Sequence, residues 1–127
     1  MQIKENPVKV LWLSRHSMTE EQRKDLSRIY GEDTEVVQVT EQVKGYKEVL
    51  EYGKDCDVLA VVLPPVILAE LTNPKNNQKP VIRAISNRVP TGKMVINPAT
   101  GDEEVEYKFN FDHWERVIKV TVEVERL

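Results

Sequence analysis

Apolar and polar residues alternate in blocks over the first two thirds of the chain, and these blocks predict strands and helices in turn. Apolar runs that are typical of strands lie at residues 8–14, 34–40, 56–63 and 80–86. The helix-forming segments between them are residues 18–30, 41–53 and 65–71. This alternation over residues 8–86 predicts right-handed crossovers and a Rossmann-like α/β fold with a mostly parallel sheet.

The C-terminal third has a different pattern. "KMVINP" (93–98) and "EEVEYKFNF" (103–111) flank a Thr100-Gly101-Asp102 turn, which is typical of an antiparallel hairpin. Apolar and polar residues alternate strictly in the second of these segments and again in "RVIKVTVEVER" (116–126), which predicts strands with one solvent-exposed face. We therefore expect one domain, residues 1–127, in which an antiparallel hairpin and strand at residues 93–126 lengthen the main sheet or supply a dimer surface.

Composition narrows the class of protein. Hydrophobic residues make up 40% of the 127 positions, which indicates a globular chain, and the net charge of −3 argues against binding of duplex nucleic acid. The single cysteine, Cys56, excludes an internal disulfide. The N-terminus does not have the pattern of a signal peptide, and no apolar run reaches membrane-spanning length. A cytoplasmic location, with no membrane partner, is therefore expected.

Polar residues follow the predicted strands at the edge where a parallel sheet binds ligands. Such sheets bind at the carboxyl ends of strands, where the strand order reverses, and the order 2-1-3-4 places that point between the first and third strands. Arginine and hydroxyl groups there, beside the N-terminus of the first helix, favour a phosphate-containing anion. The predicted ligand-binding residues are Ser14, Ser17, Thr40, Pro64, Ser86, Asn87 and Arg88. The candidate catalytic residues are His16 and Arg15.

Several of these residues also have a purely structural interpretation. Ser17 and Glu20 match a capping box for the first helix. Ser14 fits an outer hydrogen-bond partner of that helix, the arginines fit solvated loop charges, and His16 fits a structural loop residue. Two further residues are explained structurally: Arg83 inside a strand by a salt bridge to an acidic residue, and His113 as a turn residue beside a packed Trp114.

Several chemistries lack their motifs in this sequence. The chain has no G-x-G-x-x-G, no Walker A loop and no G-x-S-x-G elbow. Its two histidines, at unrelated positions, form no metal-ligand pattern. We therefore expect no cofactor and no metal, so any catalysis would depend on arginine, serine and histidine.

Two short motifs carry a resemblance to a known family. "WLSRHSMT" and "DVLAVVLPPVILAEL" resemble small Rossmann-like proteins related to the CRISPR-associated Rossmann fold (CARF) group, which have Ser-Arg-His after the first strand and a later Asp-x-x-x-x-x-Leu-Pro before an apolar helix. The matching positions are Ser14, Arg15, His16, Asp57, Leu63 and Pro64. The resemblance covers about the first half of the chain, and the C-terminal extension departs from the compact family pattern.

This resemblance implies recognition of a cyclic oligoadenylate second messenger across a homodimer and, in the ring-nuclease branch, metal-independent cleavage to a 2′,3′-cyclic phosphate. The leading hypothesis is accordingly a small homodimeric protein of antiviral defence that binds such an anionic nucleotide, with cleavage left open. The alternatives are a non-catalytic module that senses or sequesters the nucleotide, and an interaction protein of a mobile element that docks a partner through an edge strand.

Overall fold

The fold is α/β, with a five-stranded, mostly parallel sheet. The structure, a computed structural model, describes residues 7–121 and 123–127. Its elements are β1 (Lys9–Leu13), α1 (Glu20–Tyr30), β2 (Glu35–Val39), α2 (Tyr46–Tyr52), β3 (Val58–Val61), α3 (Pro65–Thr72), β4 (Val81–Ile96) and β5 (Glu103–Arg116). The strand order β2-β1-β3-β4-β5 confirms the predicted order of the first four. Among the described helices, none is long and apolar enough to span a membrane.

Helices cover both faces of the sheet because side chains alternate along its central strands. Leu11 and Leu13 of β1 pack with residues of α2 and α3, whereas Val10 and Trp12 pack with Leu26 of α1 on the opposite face. All four residues of β3 are buried, as the continuous apolar run predicts for a strand covered on both faces.

The strand β4 leaves the parallel sheet almost at once. Only Val81 and Ile82 pair with β3, and β4 then continues to Ile96 in an antiparallel pair with β5. We call residues 86–96 with their β5 partners 103–111 the ribbon. The hairpin with its turn near Gly101, where φ is +75°, confirms the predicted antiparallel part. The prediction that the fourth strand ends at residue 86 is wrong.

Two tryptophans attach the base of the ribbon to the rest of the protein. The Trp114 ring on β5 meets the Trp12 ring edge to face, with 5.7 Å between centroids. The Trp114 indole N–H donates to the carbonyl oxygen of Gln22 on α1 at 2.9 Å. Arg83 and Glu115, directly opposite each other on β4 and β5, form the predicted salt bridge at 2.6 Å.

The first helix begins later than its sequence pattern predicts. The N-cap is Thr19, which accepts from the Gln22 backbone N–H while the Gln22 side chain accepts from Thr19 N–H. The prediction of a Ser17 and Glu20 capping box is therefore wrong. Both pairs fit the same four-residue signature, and Met18 packs into the core beside Trp12, so the chain turns into the helix only after that residue.

Two further elements differ from their predictions. The second helix begins at Tyr46 rather than residue 41, although Val43 still packs on the core from the preceding loop. No strand follows Arg116 in residues 117–121 and 123–127, so the predicted final strand over residues 116–126 is wrong for the described part; Val122 lies outside it. Alternation shows that a segment can form a strand, but a strand also needs a neighbour to pair with.

Gly53, at the end of α2, leads to a stability prediction. A Cβ atom there would lie 2.5 Å from Leu59 Cδ2 and 3.2 Å from Leu11 Cδ2, both in fully buried side chains. We expect Gly53→Ala to lower the free energy of unfolding by about 1–3 kcal/mol through overpacking, measured by urea denaturation. Gly45→Ala is the control, because its Cβ would meet nothing within 4 Å; equal stability of the two variants would contradict the packing described.

Candidate functional site

Three parallel strands end level with one another and leave a crevice beyond their carboxyl ends. Leu13 of β1 pairs with Val39 of β2 on one side and with Val61 of β3 on the other. The loops that follow these strands enclose a cavity of about 430 Å³. Its lining consists of Leu13, Ser14, Arg15, His16, Thr40, Glu41, Gln42, Val43, Val62, Leu63 and Pro64. The crevice lies between β1 and β3, where the strand order reverses, as predicted for ligand binding.

The loop after β1 is held by hydrogen bonds to its carbonyl oxygens. The Trp12 indole N–H donates to His16 O at 2.8 Å. The side-chain amide of Gln38, opposite Trp12 on β2, donates to Ser14 O at 3.0 Å and to His16 O at 3.1 Å. The Ser14 hydroxyl oxygen accepts from the His16 backbone N–H at 3.2 Å. The loop therefore has a defined backbone before any ligand arrives.

Two ionisable side chains of this loop are available for a ligand. Arg15 and His16 are both exposed and line the cavity. Within the described part of the chain, neither the Arg15 guanidinium nor the His16 ring takes part in a hydrogen bond or an ion pair. Across the crevice, Thr40 contributes a hydroxyl group and Glu41 a carboxylate. The lining thus combines one permanent cation with hydroxyl donors and one carboxylate.

The predicted site residues divide into two groups. Ser14, Arg15, His16, Thr40 and Pro64 meet in the crevice, whereas Ser17 is not part of its lining. The start of α1 is also outside the lining, since Thr19 rather than Ser17 caps the helix. The N-terminus of the first helix, which was predicted to lie beside these groups, therefore does not contribute to the crevice.

The second predicted triplet lies in the ribbon instead of the crevice. Ser86, Asn87 and Arg88 pair with Phe111, Asn110 and Phe109 of β5. Asn87 donates to Asp112 at 3.0 Å, and the Arg88 guanidinium stacks 3.7 Å above the Tyr107 ring. The predicted meeting of the two triplets at one sheet edge is wrong, because β4 continues through these residues as a strand.

The crevice also contains residues that sequence reasoning missed. Glu41, Gln42 and Val43 line it from the loop after β2, and Gln38 positions the opposite loop without lining the cavity. The signal for Gln38 was a lone amide inside the strand "EVVQV". Its partner, the backbone of a loop more than twenty residues away, is visible only once β1 and β2 are paired.

The other histidine belongs to a separate acidic cluster on β5. His113 Nδ1 is hydrogen-bonded to Asp112, which raises the pKa of His113, and Glu115 Oε2 lies 3.7 Å from its Nε2. His113 lies inside β5 next to a bulge, so its prediction as a turn residue is wrong, while the packed Trp114 beside it is confirmed. This cluster lies outside the lining of the crevice.

Metal-ligating side chains and similarity to known proteins give no further information about the ligand of this crevice. Among the described residues, no group of three or more histidine, cysteine or acidic side chains is arranged to hold a metal ion. Cys56 is buried just before β3, and burial raises the pKa of its thiol.

Comparison of the chain with protein-family models, with curated proteins and with solved structures finds no match.

Gln38 provides a test of the loop geometry. In Gln38→Glu the two N–H donors are replaced by a carboxylate facing two carbonyl oxygens, at a cost of about 1 kcal/mol for each lost hydrogen bond. We expect hydrogen exchange of the Ser14 and His16 amides, whose N–H groups are hydrogen-bonded, to become at least about tenfold faster. Gln42→Glu adds the same charge beside the crevice without removing a bond to the loop, and unchanged exchange in both variants would contradict the assigned hydrogen bonds.

Proposed function

We propose that this chain is a Rossmann-like nucleotide-binding protein that takes a cyclic oligoadenylate-type second messenger at the crevice between β1 and β3. The observation that supports this most is the Ser14-Arg15-His16 loop, which is held in place by Trp12 and Gln38 while its two ionisable side chains are available. The resemblance of "WLSRHSMT" and the Leu63-Pro64 segment to the CARF-related group adds the class of ligand.

The groups in the crevice suit a phosphodiester. The planar guanidinium of Arg15 matches the two non-bridging oxygens of a phosphate, and charge-assisted bonds of this kind are stronger than neutral ones. The hydroxyls of Ser14 and Thr40 add donors on either side. Apolar contact surface for a base or ribose comes from Val43, Leu63 and Pro64, which line the same cavity.

The crevice holds one arginine, and this limits what one copy binds. Arg88, the predicted second cation, is stacked on Tyr107 in the ribbon. Glu41 offsets the charge of Arg15 within the lining. One copy is therefore suited to contact one phosphodiester unit of the ring.

Arg15→Ala tests the binding proposal. Loss of a charge-assisted hydrogen bond of about 1.5–3 kcal/mol corresponds to roughly a ten- to hundredfold weaker affinity. We expect this loss in calorimetric titrations with whichever of cyclic tri-, tetra- or hexa-adenylate binds the wild type. Arg23→Ala removes an exposed arginine of α1 outside the crevice and should leave affinity unchanged. Failure of the wild type to bind any of the three rings would contradict the proposal.

His16→Ala separates binding from cleavage. Ring opening requires the ribose 2′-oxygen to attack its neighbouring phosphorus while the P–O5′ bond breaks, giving a 2′,3′-cyclic phosphate and a free 5′-hydroxyl. His16, which lines the same crevice as Arg15, is our candidate for the group that exchanges the protons of this step, because imidazole can both accept and donate a proton. We expect wild-type turnover, followed by thin-layer chromatography, to be lost in His16→Ala with affinity kept. Binding by the wild type without turnover would assign the chain to the sensing or sequestering class.

A further inference from the structure

One face of the ribbon carries large apolar side chains that remain widely exposed, with only the Arg88 guanidinium stacked on one of them, Tyr107. Side chains at odd-numbered positions of β5 share a face, and directly opposite residues of β4 lie on the same side. We define the apolar face as Met94, Ile96, Val105, Tyr107 and Phe109. These residues are between 40% and 73% exposed.

The apolar face is an outward continuation of the hydrophobic core. Phe111 lies on the same face as Phe109 and packs against Trp114, where α1 covers the base of the ribbon. The residues of the stripe beyond Phe111 do not belong to this cluster and are largely exposed. The C-terminal segment does not cover it, because Val117 and Val120 pack on the core of the opposite sheet face and Val124 is 88% exposed.

We propose that the apolar face is the contact surface between two copies of this chain, stacked face to face about a two-fold axis. The five side chains together expose on the order of 500 Å², which is at the upper end of the largest apolar patch on ordinary monomers. A second copy would double that area to about 1,000 Å², the size at which a specific interface begins. A two-fold contact needs only this one self-complementary patch.

Charges at the two ends of the face indicate how the copies are oriented. Arg88 lies opposite Phe109 at the base, and Glu103 lies opposite Ile96 at the tip. Six strand positions separate the two ends, roughly 20 Å, so the two charges cannot pair within one chain. Antiparallel stacking brings Arg88 of each copy to Glu103 of the other. Parallel stacking would place the Arg88 side chains of the two copies against each other, and the repulsion between their like charges disfavours that arrangement.

Sedimentation velocity over a range of concentrations tests this interface without any ligand. The wild type should reach twice the chain mass, and Phe109→Glu, at the most exposed of the five residues, should raise the dimer Kd by at least about tenfold. Asn110→Glu is the matched control, since it adds the same charge one position away on the other face of the ribbon. A monomeric wild type at every concentration, or equal effects of the two variants, would overturn the proposal.

A charge exchange tests the orientation. Arg88→Glu and Glu103→Arg should each weaken the dimer, and the double variant should recover a Kd close to that of the wild type. Lack of recovery would overturn the antiparallel arrangement. These measurements are made without nucleotide. A negative result is therefore distinguishable from failure of the proposed nucleotide binding, which the Arg15→Ala titration tests separately.

Discussion

The buried indole of Trp12 is the constraint on which the rest of the structure depends. Trp12 is the fourth of the five residues of β1 and is 4% exposed, so its N–H group needs an acceptor inside the protein. The chain supplies one by folding the loop after β1 so that His16 O accepts this N–H, and Gln38 fixes the same loop from β2. The need of the buried Trp12 N–H for an acceptor thereby determines the backbone conformation of the loop that carries Arg15 and His16 at the crevice.

The same indole connects the crevice to the ribbon. Trp12 meets Trp114 edge to face, and Trp114 in turn donates to Gln22 of α1. The loop of the candidate site, the first helix and the base of the ribbon therefore share one hydrophobic cluster on the α1 face of the sheet. The proposed ligand site and the proposed contact between copies are separate surfaces, but both depend on this cluster for their position.

The pattern of apolar and polar residues predicted correctly those elements whose side chains are buried in the core. The order of strands and helices, and the meeting of Ser14, Thr40 and Pro64, follow from apolar runs that end at one edge of the sheet. The position of residues 86–88 was predicted wrongly because polar residues normally end a buried strand, whereas a strand that has left the covered part of the sheet for a two-stranded ribbon tolerates them. The strand predicted over residues 116–126 failed because alternation carries no information about a pairing partner.

Titration of the ¹⁵N-labelled chain with cyclic oligoadenylates, followed in amide correlation spectra, tests the central claim most directly. Binding at the crevice predicts that the largest chemical-shift changes occur at residues 14–16, with further changes at Thr40 and Leu63, which line it from the neighbouring strands. Changes confined to the ribbon around Arg88, or no changes at ligand concentrations that saturate nucleotide-binding proteins, would contradict the assignment of this crevice as a nucleotide site.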